Sequence, residues 1–534
     1  MDSPLGSTPV SAEPESSVES ERAMEPESTV ESRHREQDIV AVATPPGRGG
    51  ISIVRLSGPR VPAICRRLTG ALPRPRFATL CDFTAADGAV IDRGLALYFP
   101  APRSYTGEHL LELHGHGSPV VMKMLLRRCL ELGATLARPG EFSERAFLNG
   151  RLDLAQAEAV ADLIESATEA AARSAMHSLQ GEFSARIRDL VAELTELRVF
   201  VEAAIDFPEE EIDFLADDRV LIRLRDLQQR IAALRDSARH GQLLRDGLKV
   251  ALTGPPNAGK SSLLNALARQ PRAIVSATPG TTRDVVEQAV EIDGLAVQLI
   301  DTAGLRDATD DIEAEGVRRA LDAQRRADLV LLVVDDAVAT DAEVARLRDG
   351  VGGESFGDGD ADSDSERANV GVGVDAGERG GDGVGDGHAG AGDASVDTVD
   401  VAPPVCLVRN KIDLSGRAPG AIDGENGKGG DDGGVALSAL SGEGLPDLRA
   451  AIKARAGFRD SEDNAFIARQ RHLDALTRTA ERLDAGIAQL TVNRAGELLA
   501  EDLAACQQLL GEITGEVTND DLLGLIFASF CIGK

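Results

Sequence analysis

The chain has 534 residues and a formal net charge of −31, which is too long for one hydrophobic core and fits about three domains. Aromatic residues make up 3% and Trp is absent, so aliphatic side chains must form the cores. Residues 1–37 carry nine acidic and three basic residues and residues 351–400 carry thirteen and two, so these two segments hold −17 of the charge and the composition neither supports nor excludes an RNA partner.

The first 37 residues are rich in Glu, Ser and Pro and are expected to be a disordered acidic extension. They lack the apolar core of a signal peptide and the Arg-rich composition of a transit peptide. No stretch approaches the roughly 20 apolar residues that span a bilayer, and the six cysteines show no C-x-x-C spacing. We therefore expect a cytoplasmic protein with buried thiols, without zinc and without disulfides.

Residues 38–150 mix short β-like runs with Gly/Pro turns and one helix-like run, which predicts an α+β domain. The β-like runs are 51–56, 94–99 and 110–113, and the helix-like run is 120–131. His114 and His116 have the short spacing of a metal pair, but glycines flank them and no acidic or thiol pattern accompanies them. We interpret both as turn residues.

Residues 151–247 predict a helical bundle. Apolar residues over 183–201 recur at spacings of three and four, as on one face of an amphipathic helix. The pattern breaks after that run and resumes over 220–244. Helical patterns return in residues 457–534, so the segment between is expected to be inserted into one split helical domain.

The inserted segment, residues 248–456, alternates apolar runs with helical stretches, which indicates a doubly wound parallel sheet. The apolar runs are 297–300, 329–334, 405–408 and 435–437. Residues 351–400 are rich in Gly and acidic residues, and we expect a disordered insertion outside every motif. The whole chain is thus predicted to be an α+β multidomain protein.

Five motifs follow one another in the inserted segment and predict a GTPase. The run from Gly254 to Ser261 reads G-x-x-x-x-G-K-S between a strand and a helix, so its backbone N–H groups are expected to cradle phosphates while Lys260 reaches the terminal ones and Ser261 ligates Mg²⁺. A carboxylate at Asp413 accepts from N1–H and from the exocyclic amine that adenine lacks, which makes the base guanine. The other motifs are Thr281-Thr282, Asp301-Thr302-Ala303-Gly304, Asn410-Lys411-Ile412-Asp413 and Ser438-Ala439-Leu440.

The catalytic water cannot be oriented in the usual way. Many GTPases have a Gln after Asp-x-x-Gly, whereas this chain has Leu305. Glu313 is an acidic candidate for that task. Charge neutralisation stays open between Arg283 or Arg306 as an arginine finger and a bound cation.

Further motifs make the chain resemble the tRNA-modification GTPase family called MnmE or TrmE. The resemblance runs from Asp38 to the C-terminus, apart from the acidic insertion. It implies an N-terminal folate-binding and dimerisation domain, a split helical domain and an inserted G domain. The motifs that carry it are Thr44-Pro45-Pro46-Gly47-Arg48-Gly49-Gly50, Ser104-Tyr105-Thr106-Gly107-Glu108, Arg138-Pro139-Gly140-Glu141-Phe142-Ser143, Ala203-Ala204-Ile205-Asp206-Phe207 and Phe530-Cys531-Ile532-Gly533-Lys534.

The resemblance implies that K⁺, rather than an arginine finger, activates GTP hydrolysis. The family pattern puts K⁺ ligands at Asn257, Ser276, Thr278 and Thr281, Mg²⁺ ligands at Ser261 and Thr282, and the water-positioning glutamate at Glu313. The expected GTP-binding residues are Asn257, Ala258, Gly259, Lys260, Ser261, Ser262, Ser276, Ala277, Thr278, Pro279, Gly280, Thr281, Thr282, Asp301, Thr302, Ala303, Gly304, Asn410, Lys411, Asp413, Ser438, Ala439 and Leu440.

The resemblance also implies a site for a formyl-tetrahydrofolate-type one-carbon donor. Its matching residues are Arg55, Glu112, Arg151 and Lys534. Arg151 departs from the Lys that the family often has, and its hydrogen-bond geometry differs. Cys531 matches the thiol of the family's C-terminal motif and is a candidate catalytic residue, although a Cys in an apolar stretch is also typical of an inert buried thiol.

In the family, a homodimer works with an FAD-dependent protein, in a heterotetramer or larger complex, to attach an aminomethyl-type group to wobble uridine 34 of certain tRNAs. We expect the same of this chain, with GTP hydrolysis as its direct reaction. Two alternatives stay open: a ribosome-assembly GTPase, which normally adds a basic RNA-binding module, and a slowly hydrolysing, GTP-dependent interaction scaffold.

Overall fold

The computed structural model describes residues 37–206, 218–268, 286–301, 324–352, 403–423, 433–458, 466–493, 495–517, 520–531 and 533. The chain divides into two compact units, Met1–Glu158 with Thr518–Lys534, and Ala159–Val517. The finer domain limits expected from the sequence stay predictions. The acidic segments 1–37 and 351–400 lie almost wholly outside the described residues.

The first unit is built on a six-stranded sheet in the order β3-β4-β5-β2-β1-β6. All neighbouring strands are antiparallel except β1 and β6. Its strands are β1 (Ile39–Val42), β2 (Gly49–Ser57), β3 (Thr79–Thr84), β4 (Val90–Phe99), β5 (Leu110–Gly117) and β6 (Thr135–Leu136).

The helices of the first unit are α1 (Val61–Thr69), α2 (Pro119–Glu131), α3 (Glu141–Leu148) and α14 (Asp520–Ala528). Successive side chains of β2 point to opposite faces of the sheet. Val54 and Leu56 are therefore fully buried with Leu125 of α2, while Arg55 points to the other face. The predicted α+β character of this region is confirmed. The interpretation of His114 and His116 as turn residues was wrong, because both lie within β5.

The second unit holds the helical bundle. Its helices are α4 (Leu154–Glu165, beginning just before the unit limit), α5 (Glu169–Leu179), α6 (Glu182–Asp206), α7 (Asp218–Asp246), α12 (Gln470–Ala488) and α13 (Gly496–Thr514), with a π-helical turn at Gln489–Asn493. Arg198 of α6 donates to Gln507 of α13 over 2.8 Å, across a sequence separation of 309 residues. Helices from before and after the inserted segment therefore form one discontinuous domain, as predicted.

The chain leaves the inserted domain through a tightly held segment. The rings of Phe466 and Phe183 stack with centroids 4.4 Å apart. The backbone N–H of Ile467 donates to the Ser178 hydroxyl over 2.9 Å. A Cβ on Gly241 of α7 would lie 2.0 Å from the Phe466 carbonyl oxygen, so only glycine permits this approach.

One buried carboxylate binds a residue at each of the two points where the chain passes between the helical bundle and the inserted domain. Asp162 of α4 is 4% exposed. Its Oδ1 accepts from Arg245 Nε and from Arg469 Nη2, each over 2.8 Å. Arg245 comes three residues before β7, where the chain enters the inserted domain, and Arg469 is the N-cap of α12, where the chain has returned to the helices. The same side chain therefore fixes both connections.

The inserted domain is a seven-stranded sheet in the order β12-β13-β11-β10-β7-β9-β8. The strands are β7 (Leu248–Thr253), β8 (Val286–Ile292), β9 (Leu295–Asp301), β10 (Leu329–Asp335), β11 (Val405–Asn410), β12 (Gly420–Ile422) and β13 (Gly434–Ala436). The five central strands are parallel, as predicted, but β8 and β12 pair antiparallel at the two edges. A two-residue turn at Asp293 and Gly294 joins β8 to β9, which permits antiparallel pairing without a crossover helix.

Helices of the inserted domain are α8 (Lys260–Ala268), α9 (Asp341–Gly352), α10 (Ile412–Ser415) and α11 (Leu445–Arg455). Strand β10 is buried from Leu329 to Val334, as expected for a central parallel strand covered on both faces. Because β9 and β10 flank β7 on opposite sides, the strand order reverses at the carboxyl end of β7. Ligands of doubly wound sheets bind at such a point.

The six cysteines are all free. Burial raises the pKa of Cys65 to about 11 and that of Cys129 and Cys506 to about 12, so these thiols stay protonated near neutral pH. The expectation of buried thiols is wrong for Cys531, which is exposed, and Cys81 is only partly buried.

Candidate functional site

The phosphate-loop candidate lies at the carboxyl end of β7, where the sheet order reverses. Gly254 has φ +139°, and a Cβ there would lie 2.0 Å from the Val333 carbonyl oxygen of β10. Gly259 has φ +94°, and a Cβ there would lie 2.2 Å from Asn410 Nδ2. Both glycines of the motif are therefore required by close approach as well as by backbone conformation.

Lys260 lies at the first position of α8 and is 7% exposed. Its Nζ donates to the carbonyl oxygens of Gly254 and Pro255 over 2.9 and 2.8 Å. The ammonium group thus lies against the loop backbone at the N-terminus of α8, an end of a helix that favours anions.

The loop also suits the expected cations. Ser261 follows Lys260 on α8, and its hydroxyl is the hard oxygen ligand that Mg²⁺ prefers. Asn257 is exposed and adopts φ +61°, in the left-handed region, so its amide stands at the rim of the loop. Among the described residues, Ser261 and Asn257 therefore supply oxygen atoms of the kind that hard cations prefer.

Asn410, at the end of β11, connects three of the predicted motifs. Its Nδ2 donates to the Ala258 carbonyl oxygen over 2.9 Å, and its Oδ1 accepts from the Ala439 N–H over 3.0 Å. The side chain is 2% exposed. One buried amide therefore brings together the phosphate loop, the Asn-Lys-x-Asp segment and the Ser-Ala-Leu loop.

The next residue, Lys411, has φ +66° and begins α10, which carries Asp413. Its Nζ donates to Asp335 at the end of β10 over 2.7 Å. Sequence reasoning missed Asp335. The signal was present, because two acidic residues directly follow a strand that is otherwise wholly apolar.

Other predicted GTP-site residues lie outside the described part of the chain: Ser276 to Thr282, Thr302, Ala303, Gly304 and Glu313. Asp301 ends β9 and pairs with Leu252 of β7, so the backbone of the Asp-x-x-Gly motif begins beside the phosphate loop. The roles expected for these residues stay predictions.

A second group of predicted residues meets in the first unit. Arg55 of β2 and Glu112 of β5 are cross-strand partners, with Nη2 and Oε1 2.9 Å apart. Arg55 Nη1 also donates to the Gly533 carbonyl oxygen over 3.2 Å, across a separation of 478 residues. The guanidinium lies over the rings of Tyr105 and Phe142, at 5.7 and 5.8 Å from their centroids.

The C-terminal segment reaches this group through α14. Phe527 lies 6.3 Å from Phe147, ring centroid to centroid, and a Cβ on Gly140 would meet the Phe527 carbonyl oxygen at 2.4 Å. The Gly140 N–H donates to the carbonyl oxygen of Cys531 over 3.4 Å. The motif around Gly140 and the closing motif, which the sequence showed far apart, are therefore neighbours.

The remaining folate candidates are less closely tied to Arg55. Arg151 is exposed, and its Cγ would lie 3.4 Å from a Cβ on Gly107. Lys534 lies outside the described residues. Glu112 keeps a second oxygen, Oε2, which is 3.3 Å from His114 Nε2. A half-buried carboxylate beside a guanidinium and two rings fits a flat, N–H-bearing heterocycle such as a pterin.

The described ranges lack two kinds of feature. No group of three or more His, Cys, Asp or Glu side chains there has the arrangement of a metal site. Among the same residues, no helix is long and apolar enough to cross a membrane.

Comparison with known proteins identifies two family models. The model described as "MnmE helical domain" matches residues 154–531, and the one described as "GTP-binding protein TrmE N-terminus" matches residues 38–151. A protein of Stutzerimonas stutzeri (strain A1501) named "tRNA modification GTPase MnmE" is 50% identical over 501 residues, covering 93% of this chain and 98% of that protein. A protein of the same name from Alkalilimnicola ehrlichii is 50% identical over 496 residues, covering 93% and 99%.

Solved structures give a weaker likeness. The G domain of the T. maritima FeoB iron transporter is 24% identical and covers 39% of this chain and 98% of its own, with a TM-score of 0.23. A TM-score that low supports no conclusion.

Replacing Asn410 with Asp tests whether this side chain holds together the phosphate loop, the Asn-Lys-x-Asp segment and the Ser-Ala-Leu loop. The change keeps an acceptor for Ala439 but sets a carboxylate oxygen 2.9 Å from the Ala258 carbonyl oxygen. Loss of a buried hydrogen bond costs about 1–3 kcal/mol, so we expect the Kd for a fluorescent GDP analogue to rise at least tenfold. Asn265→Asp, the same change on an exposed residue of α8, is the control and should leave the Kd within twofold. Equal effects of the two variants would contradict the assignment.

Proposed function

This chain belongs to the MnmE (TrmE) family of tRNA modification GTPases, and we propose that it helps to form the 5-carboxymethylaminomethyl group on wobble uridine 34 of certain tRNAs. In this proposal, GTP hydrolysis is its direct reaction, a formyl-tetrahydrofolate-type donor supplies the carbon and an FAD-dependent protein is its partner. The observation that carries the proposal is 50% identity to a tRNA modification GTPase over 93% of the chain. The meeting of three nucleotide motifs at Asn410 supports it.

Recognition of GTP divides between two ends of the site. Backbone N–H groups of the phosphate loop and Lys260 hold the phosphates, and the ammonium group exchanges its two loop carbonyls for phosphate oxygens. Asp413 selects guanine through N1–H and the exocyclic amine. The loop Ser438, Ala439 and Leu440 closes the base side, since Asn410 holds Ala439.

We assign Mg²⁺ to Ser261 and Thr282, and K⁺ to Asn257, Ser276, Thr278 and Thr281. When bound there, the two cations supply the positive charge that stabilises the developing charge on the phosphates. Glu313 orients the attacking water, the task for which Leu305 has no polar group. The left-handed, exposed Asn257 supports this assignment, because its amide is available at the loop rim.

The one-carbon donor binds in the first unit, between Arg55, Glu112, Arg151 and Lys534. Glu112 accepts N–H groups of the heterocycle, and the guanidinium that pairs with Glu112 lies over the Tyr105 and Phe142 rings. Cys531 lies in the same neighbourhood, because its carbonyl oxygen accepts from Gly140 next to Glu141 and Phe142. Cys531 has a free thiol and is exposed to solvent.

The protein works in the cytoplasm as a homodimer that joins the FAD-dependent partner in a heterotetramer or larger complex and acts on tRNA. Family membership supports this assembly. The face of the first unit's sheet that carries Arg55 is open enough for a second copy, with Ile51 68% and Leu80 62% exposed.

The function is tested by tRNA from a strain that lacks this chain. Mass spectrometry of hydrolysed tRNA should show that the C5 substituent is lost from wobble uridines, and the full-length chain should restore it. Lys260→Ala, supplied in its place, should fail to restore it because phosphate binding is lost. Unchanged wobble uridines in the deletion strain would refute the proposal.

Replacing K⁺ with Na⁺ tests the cation assignment. We expect GTP turnover to fall at least tenfold in Na⁺, because oxygen ligands spaced for K⁺ would lie too far from the smaller ion to bind it well. Glu313→Ala should abolish K⁺-stimulated turnover while the Kd for GTP stays within threefold, whereas the exposed Glu343→Ala should change neither. A rate indifferent to the cation, or full turnover in Glu313→Ala, would contradict these roles.

Arg55→Ala tests the folate site. Titration calorimetry of the full chain with 5-formyltetrahydrofolate should show binding weakened at least tenfold, since Glu112 and the Gly533 carbonyl lose their shared partner. Arg74→Ala is a matched control, because Arg74 also lies over an aromatic ring, Phe77, at 3.9 Å but is exposed and remote in sequence from the motifs. If the wild-type chain, Arg55→Ala and Arg74→Ala bound 5-formyltetrahydrofolate with equal affinity, the folate-site assignment would be wrong.

A further inference from the structure

Asp336, directly after β10, has a buried carboxylate with several donors. Its side chain is 1% exposed. The carboxylate accepts from Arg409 Nη1 over 3.2 Å, from the Ser415 hydroxyl over 2.6 Å, and from Arg417 Nε over 2.8 and 2.9 Å. Burial acts to raise the pKa of Asp336, yet these hydrogen bonds outweigh it and leave the pKa lowered, so the group is a carboxylate at neutral pH.

These donors flank the Asn-Lys-x-Asp segment on both sides. Arg409 directly precedes Asn410, whereas Ser415 and Arg417 follow Asp413 at the end of α10. The backbone N–H of Asp336 also donates to the Asn410 carbonyl oxygen over 2.9 Å. The residue directly after the neighbouring strand β10 therefore binds residues at both ends of the segment that carries Asp413.

The segment needs such support because its backbone is strained. Lys411 is not glycine, yet it has φ +66°. A residue in the left-handed region costs about 1 kcal/mol or more and persists only where the surroundings fix it. Recognition by a carboxylate in turn requires that its position be held within about half an ångström.

We propose that Asp336 is the positioning residue that fixes the Asn410–Asp413 segment for guanine recognition. In this role it acts on base recognition through Arg409, Ser415 and Arg417, whose side chains it holds. The inference rests on the proposed role of Asp413 as the residue that reads the base. Its neighbour Asp335 holds Lys411, so the two consecutive carboxylates divide the support of one short segment.

A purely structural role for Asp336 makes a different prediction. Loss of a buried ion-pair partner destabilises the domain, which would weaken all nucleotides alike. A positioning role instead weakens GDP more than inosine diphosphate, because inosine lacks the exocyclic amine that Asp413 accepts. The ratio of the two dissociation constants therefore separates the two roles.

The test uses the full-length chain with Asp336→Asn. We expect the Kd for GDP to rise about tenfold and the ratio of the Kd for inosine diphosphate to that for GDP to fall at least threefold. Asp341→Asn is the matched control, because Asp341 contacts the same Arg409 from a side chain that is 94% exposed. It should change both constants less than twofold, as exposed ion pairs contribute little.

Two further variants keep the outcome decisive. Arg417→Gln and Ser415→Ala each remove one donor at the domain surface, and each should shift the ratio in the same direction by a smaller factor, even if Asp336→Asn fails to fold. Asp413→Asn serves as the reference for base reading. If Asp413→Asn leaves the ratio unchanged, the proposed base site is wrong and this inference falls with it.

If Asp413→Asn lowers the ratio, the base site stands and the role of Asp336 is tested separately from it. An unchanged ratio in Asp336→Asn, or equal losses for both nucleotides together with a lower melting temperature, would overturn the positioning role. When Asp336→Asn does not fold, an unchanged ratio in both Arg417→Gln and Ser415→Ala would overturn it equally.

Discussion

The nucleotide site depends on the buried amide of Asn410. Its donor and its acceptor are both used, one on the phosphate loop and one on the loop after β13. An amide in this position can satisfy a carbonyl and an N–H at once, which neither a carboxylate nor a hydroxyl does with the same geometry. Because Gly259 has no Cβ, the amide approaches the loop backbone directly. The phosphate-loop motif, the Asn-Lys-x-Asp segment and the Ser-Ala-Leu loop are therefore parts of one hydrogen-bonded unit.

In the first unit, a charged side chain likewise joins segments that are far apart in sequence. Arg55 connects two strands to the C-terminal segment by satisfying a carboxylate and a backbone carbonyl. Its guanidinium lies over two aromatic rings, an environment that favours a planar cation over an ammonium group. In both units, one side chain with several fixed donors or acceptors assembles motifs that are far apart in sequence.

The sequence predicted the inserted sheet domain well, because a strand–loop–helix motif fixes local geometry and the other motifs follow strands whose order the fold constrains. It missed α1, although Val61, Ile64, Cys65 and Leu68 recur at helical spacing and are all buried. A short helix with Pro near its start was overlooked in a region rich in Pro and Gly.

His114 and His116 were wrongly predicted to lie in a turn because the glycines beside them were interpreted as turn residues. Gly115 and Gly117 are instead required by close contacts within the sheet. Asp335 and Asp336 close an apolar run and so carried a local signal, but their partners Lys411, Arg409, Ser415 and Arg417 follow from pairing across the sheet, which the local pattern does not show. The resemblance, and not the pattern, identified Arg55, since a lone arginine in a strand carries no signal of its own.

The discontinuous topology has a consequence for how the protein is made. Arg198 of α6 can bond to Gln507 of α13 only after 309 further residues have been synthesised. Gly533, whose carbonyl oxygen accepts from Arg55, is synthesised 478 residues after Arg55. During translation, the early helices must therefore keep their apolar faces, such as that of Phe183, unpaired or shielded by a chaperone. The sheet domain is continuous in sequence, so it is able to fold on the ribosome first. Because Asp162 binds both Arg245 and Arg469 at the two ends of this domain, a folded sheet domain would hold the two halves of the bundle close to each other.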